Sequence, residues 1–140
     1  MNTLTRFEED GRRSSVPFRR LAYGVNLTYL LGVDIPGSLI ERTVTVEFAG
    51  QKFDDPTILV DGPECLRHRF LGGSLCVWWR YDAPDRRWKL RDGFDALLTL
   101  IRLHLYSEAK CRQGEQWPQV EAPGSHPRKW QCASCRGNGL

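Results

Sequence analysis

The chain has 140 residues, enough for one domain and too few for two well-cored ones. Its 41% apolar and 26% charged residues exclude wholesale disorder. Twenty Lys and Arg against 17 Asp and Glu leave a net charge of +3, too balanced to argue for nucleic acid.

No run approaches the roughly 18 consecutive apolar residues of a spanning helix. The opening MNTLTRFEEDGRRSS lacks the apolar stretch of a secretory signal, and without one Arg12-Arg13 is a poor twin-arginine signal. A cytoplasmic protein is expected. Five cysteines, an odd number, then point to a reducing compartment in which thiols are buried, catalytic or metal-bound.

Residues 1–20 are polar and charged, interrupted by Gly11 and Pro17, and read as an arm or a short helix over Thr3 to Asp10 with only Leu4 and Phe7 to bury. From residue 21 the pattern turns to strand. Leu27–Val33 is apolar and stops at Pro36-Gly37. Thr43–Phe48 alternates strictly, with Val44, Val46 and Phe48 on one face and Thr43, Thr45 and Glu47 on the other. Ala49–Lys52 can turn the chain into Thr57–Val60, which ends at Asp61-Gly62-Pro63. Leu75–Trp79 is a fourth apolar run that reads as strand. The short turns between the first three predict an antiparallel meander.

Over 93–112 the period changes. Phe94, Leu97, Leu98, Ile101, Leu105 and Ala109 form one apolar helical stripe. Asp92 is the expected N-cap, Asp95 adds a carboxylate to the first turn, and Lys110, Arg112 and Gly114 mark the end. Beyond Gln116 the chain is rich in Pro and Gly and reads as an irregular arm, with 128–140 a flexible tail. The expected fold is one α+β domain over 1–140: an antiparallel β-meander packed on an amphipathic helix.

The most informative stretch is His68-Arg69-Phe70-Leu71-Gly72-Gly73-Ser74-Leu75-Cys76. A Gly-Gly turn ahead of a cysteine lets backbone N–H groups approach a bound carbonyl. The residues themselves leave two roles open for Cys76: a buried strand residue or a reactive thiol. Cys132-x-x-Cys135 is half of a zinc site or a redox pair. Completing four ligands would draw on Cys111, His126 or Cys65 at irregular spacing, so no metal and no cofactor is expected. His104, beside the helical stripe, reads as a packing residue. Arg67, Arg69, Arg80, Arg86 and Arg87 read as a solvated face or as a surface for an acidic partner. Among the tryptophans, packing under the C-terminal arm is favoured for Trp78 or Trp88, and partner binding is the alternative.

The segment His68-x-Phe70-x-x-Gly73-x-Leu75-Cys76 resembles the active-site segment of the bacterial relatives of ubiquitin-conjugating enzymes. Trp78-Trp79, the helix from Gly93, Gly114-Glu115-Gln116-Trp117 and His126-Pro127 follow in that family's order, so the resemblance covers roughly residues 20–127. It implies a ubiquitin-conjugating-like fold and a thioester carrier. Cys76 would accept the C-terminus of a ubiquitin-like modifier from an adenylating, activating enzyme and pass it to a target lysine, in a bacterial conjugation or anti-phage system. No membrane or nucleic-acid partner is implied.

The chemistry asks little of the site. A free thiol of pKa about 8.5 is only a few per cent thiolate at pH 7, so a small depression helps. The resemblance makes His68 a support of the active-site loop or a proton carrier, and implies that His126 returns towards Cys76. Eukaryotic enzymes usually continue that histidine with Pro-Asn, whose asparagine serves the oxyanion. Arg69-Phe70 stand there instead, which leaves the Gly72 and Gly73 amides and His126 as candidate donors. Asp82 and Asp85 either orient a lysine or are solvated loop carboxylates.

Two other classes compete. A cysteine hydrolase would pair Cys76 with His126 or His104, although such nucleophiles usually sit at a helix N-terminus. A non-catalytic adaptor would keep the fold without the chemistry. A zinc or nucleic-acid module lacks both a full ligand set and a basic stripe.

Overall fold

A computed structural model describes residues 2–21, 26–50, 52–63, 68–70, 72–78 and 83–118. The chain order is helix α1 (Thr3–Arg13), strands β1 (Phe18–Leu21), β2 (Leu27–Val33), β3 (Arg42–Phe48) and β4 (Thr57–Val60), 3-10 turns over Pro84–Arg86 and Leu90–Asp92, and helix α2 (Phe94–Arg112). The four strands form one antiparallel sheet in the order β1-β2-β3-β4. This is the α+β class with the antiparallel meander that the short turns imply. No helix among the described residues is long and apolar enough to cross a membrane.

Register follows from the alternation. Tyr29 faces Val46, Leu31 faces Val44, and Val46 faces Ile58. All five are buried, so one sheet face carries the core while Thr43, Thr45 and Glu47 point the other way. Both helices contribute to that core: α1 through Phe7, and α2 through Phe94, Leu97, Leu98, Ile101 and Leu105. Gly50, at φ +59°, turns β3 towards β4, and the Lys52 N–H closes the turn on the Ala49 carbonyl at 3.1 Å.

Several sequence expectations are corrected. The helix expected over Thr3 to Asp10 runs on to Arg13 and is capped by the Asn2 side chain, which accepts from the Thr5 N–H at 2.8 Å. The stretch read as an arm up to residue 20 already contains most of β1, which pairs with β2 from Phe18↔Leu31 to Leu21↔Thr28. Asp92 does not cap α2. The cap position belongs to Gly93, at φ +92°, and the Asp92 carboxylate accepts from the Lys89 N–H at 2.8 Å in the preceding 3-10 turn. Leu75–Trp78 is not a strand; among the described residues its one ladder pairing is a bridge between Leu75 and Arg69, and Trp79 lies outside them.

The stripe on α2 is also wider than its apolar residues suggest. Ala109 is only half-buried, and the buried face continues through His104, Ser107 and Glu108. Ser107 returns its hydroxyl to the Leu103 carbonyl at 2.8 Å. His104 and Glu108 lead to the candidate site.

Candidate functional site

The chain leaving β4 folds into a short hairpin that carries Cys76. The Phe70 N–H donates to the Ser74 carbonyl at 2.9 Å, and the Cys76 N–H donates to the His68 carbonyl at 2.8 Å. Gly73 supplies the positive φ, +88°, that the tip requires. The Leu75 N–H donates to the Ile58 carbonyl at 2.8 Å and so ties the hairpin to the outer edge of β4. His68 is the one described non-glycine residue at positive φ, +60°. Such a conformation costs of order 1–3 kcal/mol and is kept where surrounding contacts enforce it.

In a hairpin with Arg69 opposite Leu75, those two side chains share one face, and Phe70 and Cys76 share the other. The packing agrees. Leu75 belongs to the main core, whereas Cys76 packs with Phe70 as a separate small cluster. Cys76 is 6% exposed, and its Sγ lies 3.7 Å from the Trp78 carbonyl oxygen. A cavity of about 20 Å³ between the hairpin and β4, lined in part by Ile58, Phe70, Leu75 and Trp78, has room for a water.

The other face of the hairpin is fixed by charge. Arg69, expected on a solvated surface, is 4% exposed. Its Nε and Nη2 donate to the two carboxylate oxygens of Glu108 at 2.7 and 2.8 Å, and its Nη1 donates to the Gly73 carbonyl at 2.9 Å. This is the fork geometry that makes Arg the preferred partner of a buried carboxylate. His104 Nε2 lies 3.0 Å from Glu108 Oε2, and Arg112 Nη1 lies 3.6 Å from Oε1. Burial pushes the Glu108 carboxyl up, but the Arg69 and His104 contacts outweigh it and hold the group below its ordinary 4.5. Trp117 packs across this junction, with its ring centre 4.2 Å from that of His68 and 5.2 Å from that of His104.

The structure thus brings together two of the singled-out histidines, His68 and His104, through Trp117, and it ties His68 to Cys76 through the backbone. His126, Cys65, Cys132, Cys135, Asp82, Arg67, Arg80 and Trp130 lie outside the described residues. Asp85 is exposed in the first 3-10 turn and Cys111 is half-buried on α2. The Gly73 amide is not a free oxyanion donor, because it is donated to the Phe70 carbonyl at 2.9 Å. Trp88 is buried at 3%, and Trp78 stacks on it at 6.1 Å; the C-terminal arm under which they are expected to pack lies outside the described residues from 119 on. Among the described residues, no three His, Cys, Asp or Glu side chains converge as metal ligands would.

Glu108 and the depth of Arg69 were missed in the sequence. A signal was present: Glu108 continues the 94, 97, 101, 105 spacing of the buried face, and a carboxylate on such a face needs a cation. Comparison with known proteins returned no match: no family model, no curated protein and no solved structure matches the chain.

Proposed function

We propose that this chain is a thioester carrier of ubiquitin-conjugating type, with Cys76 as the acyl-carrying residue and His68 as the support of its loop. The observation that carries the reading is where Cys76 sits. It lies on an irregular hairpin hung from the edge strand of a four-stranded meander, ahead of a 3-10 turn and the long helix α2. A helix, an antiparallel meander, the cysteine and then a long helix is the order of parts that the resemblance implies. The Cys76 thiol loses its proton, and its thiolate attacks the modifier's thioester on an activating enzyme and expels that enzyme's thiolate. A lysine amine of the target then attacks the new thioester, forms the amide, loses a proton and returns the Cys76 thiolate. The modifier is a ubiquitin-like protein, and the setting is a cytoplasmic bacterial conjugation or anti-phage system.

The hydrolase reading finds less support. Cys76 is not at a helix N-terminus, and His104 is 2% exposed with Nε2 engaged by Glu108. The 6% exposure of Cys76 favours the adaptor of the same architecture as the second reading.

One experiment separates the three. The protein is mixed with a candidate activating enzyme, its modifier and ATP. A carrier gives one covalent equivalent that thiol reductant removes, that Cys76→Ala cannot form, and that Cys76→Ser converts to a reductant-resistant ester. Modifier binding that survives Cys76→Ala, with no adduct in the wild type, assigns the adaptor. Multiple turnover of a peptide or thioester substrate by the isolated chain assigns the hydrolase.

A further inference from the structure

The hairpin that bears Cys76 touches the rest of the described fold through contacts of different strength. On one side are a backbone hydrogen bond, Leu75 N–H to the Ile58 carbonyl at 2.8 Å, and the packing of the Leu75 side chain in the main core. On the other is the Arg69 guanidinium, which holds Glu108 of α2 by two contacts and the hairpin tip at Gly73 by a third. Arg69 is 4% exposed and Glu108 0%, so the pair is screened from water, and losing either member takes from the other its bidentate partner. His104 loads the same carboxylate at 3.0 Å. The sequence separation between Arg69 and Glu108 is 39 residues, so this pair joins two segments that the chain itself does not hold together.

We propose that Glu108 is a positioning residue for Cys76: acting through Arg69, it holds the hairpin closed and sets how readily the thiol is reached. The clamp itself stands on geometry alone. Its consequence for acyl transfer rests on the carrier reading above. The Arg69 side of the hairpin is clamped while Cys76 lies on the opposite face with Phe70, so the clamp acts by fixing the backbone that carries the thiol, not by touching it. In a carrier, that fixed backbone sets the approach of the lysine to the thioester.

The test reads native-state alkylation of Cys76 by iodoacetamide, mapped by mass spectrometry on the full chain, with Cys111 as reference in the same molecule. Glu108→Gln and Arg69→Met are expected to speed Cys76 alkylation tenfold or more relative to Cys111. Arg69→Lys, which keeps the charge and loses the fork, is expected to recover part of the wild-type protection and supplies a milder variant should Glu108→Gln fail to fold. Glu8→Gln is the control, because it breaks a second buried carboxylate cluster among the described residues, against Tyr29 and Arg20, away from the hairpin. A general loss of stability would raise the Cys76 and Cys111 rates together, and would do so in Glu8→Gln as well. That result overturns the proposal, as do equal rates in Arg69→Lys and Arg69→Met, or an unmoved Cys76 rate in Glu108→Gln. Charging and discharge are then followed separately. A wild type that never charges, with the alkylation pattern as expected, ends the carrier reading and leaves the clamp standing. Normal discharge from Glu108→Gln with unmoved alkylation ends the clamp alone.

Discussion

Truncating Phe7 to Ala should cost this protein a large part of its stability. The residue is 1% exposed, and its ring centre lies 5.5 Å from those of Tyr29 and Phe94, 5.8 Å from Phe48, 6.1 Å from Trp88 and 6.5 Å from Phe18. One ring of α1 thereby touches β1, β2, β3, α2 and the segment between the 3-10 turns. Removing a buried Phe side chain costs about 3–5 kcal/mol. Each edge-to-face pair adds about 0.5–1.5 kcal/mol beyond burial, but the five share a single ring and do not sum. The upper part of the range, about 4–5 kcal/mol, is therefore expected, against a total of about 5–15 kcal/mol for a domain. At about 4 °C per kcal/mol for a chain of this length, the melting temperature should fall by about 15–20 °C. Urea unfolding followed by tryptophan fluorescence measures the loss, because Trp88 sits against the same ring. Phe7→Leu keeps most of the volume and should cost about 1–1.5 kcal/mol. A loss below about 1 kcal/mol for Phe7→Ala at an unchanged denaturant slope would refute the docking of α1 described above.

Two further outcomes follow from single contacts. Gly11→Ala should destabilise by about 1 kcal/mol or more, although alanine gains about 1 kcal/mol in helix propensity. A Cβ there would meet Phe18 at 2.6 Å from Cδ2 and 2.7 Å from Cζ, and closer still to Cε2, and that ring is itself packed on Phe7, Tyr29 and Phe94. A thermal melt with an unchanged or raised midpoint would contradict the close approach. The second outcome concerns pH. Glu108 is held below 4.5, so its carboxylate contributes stability that is present above 4.5 and is lost as pH falls through the lower folded-state value. The stability gap between wild type and Glu108→Gln, about 3–5 kcal/mol at neutral pH, should therefore close as the solution is acidified below 4.5. A gap that stays constant down to pH of about 2 would mean that the carboxylate is not the group that titrates.

Where the burial pattern is periodic and local, it was legible in the residues. The alternation of Thr43–Phe48 is borne out face by face, because adjacent side chains of a strand must point to opposite sides whatever else surrounds them. The stripe from Phe94 to Leu105 is likewise buried, because a helix brings positions three and four apart onto one face. The antiparallel order followed from turns too short for a crossover.

What depended on distant partners was not legible. Phe18–Leu21 carries two arginines and became a strand only because β2 offered a free edge. Phe7, one of two apolar residues in a charged helix, became the hub of an aromatic cluster assembled from residues as remote in sequence as Phe94. The same holds at the candidate site. The motif around Cys76 marked the segment, but whether Arg69 faced water or Glu108 depended on how α2 lay against the hairpin, and the burial of the thiol depended on its packing with Phe70. Local sequence fixes which residues share a face. The desolvation and charge pairing that decide what a face does arise only when two such faces meet.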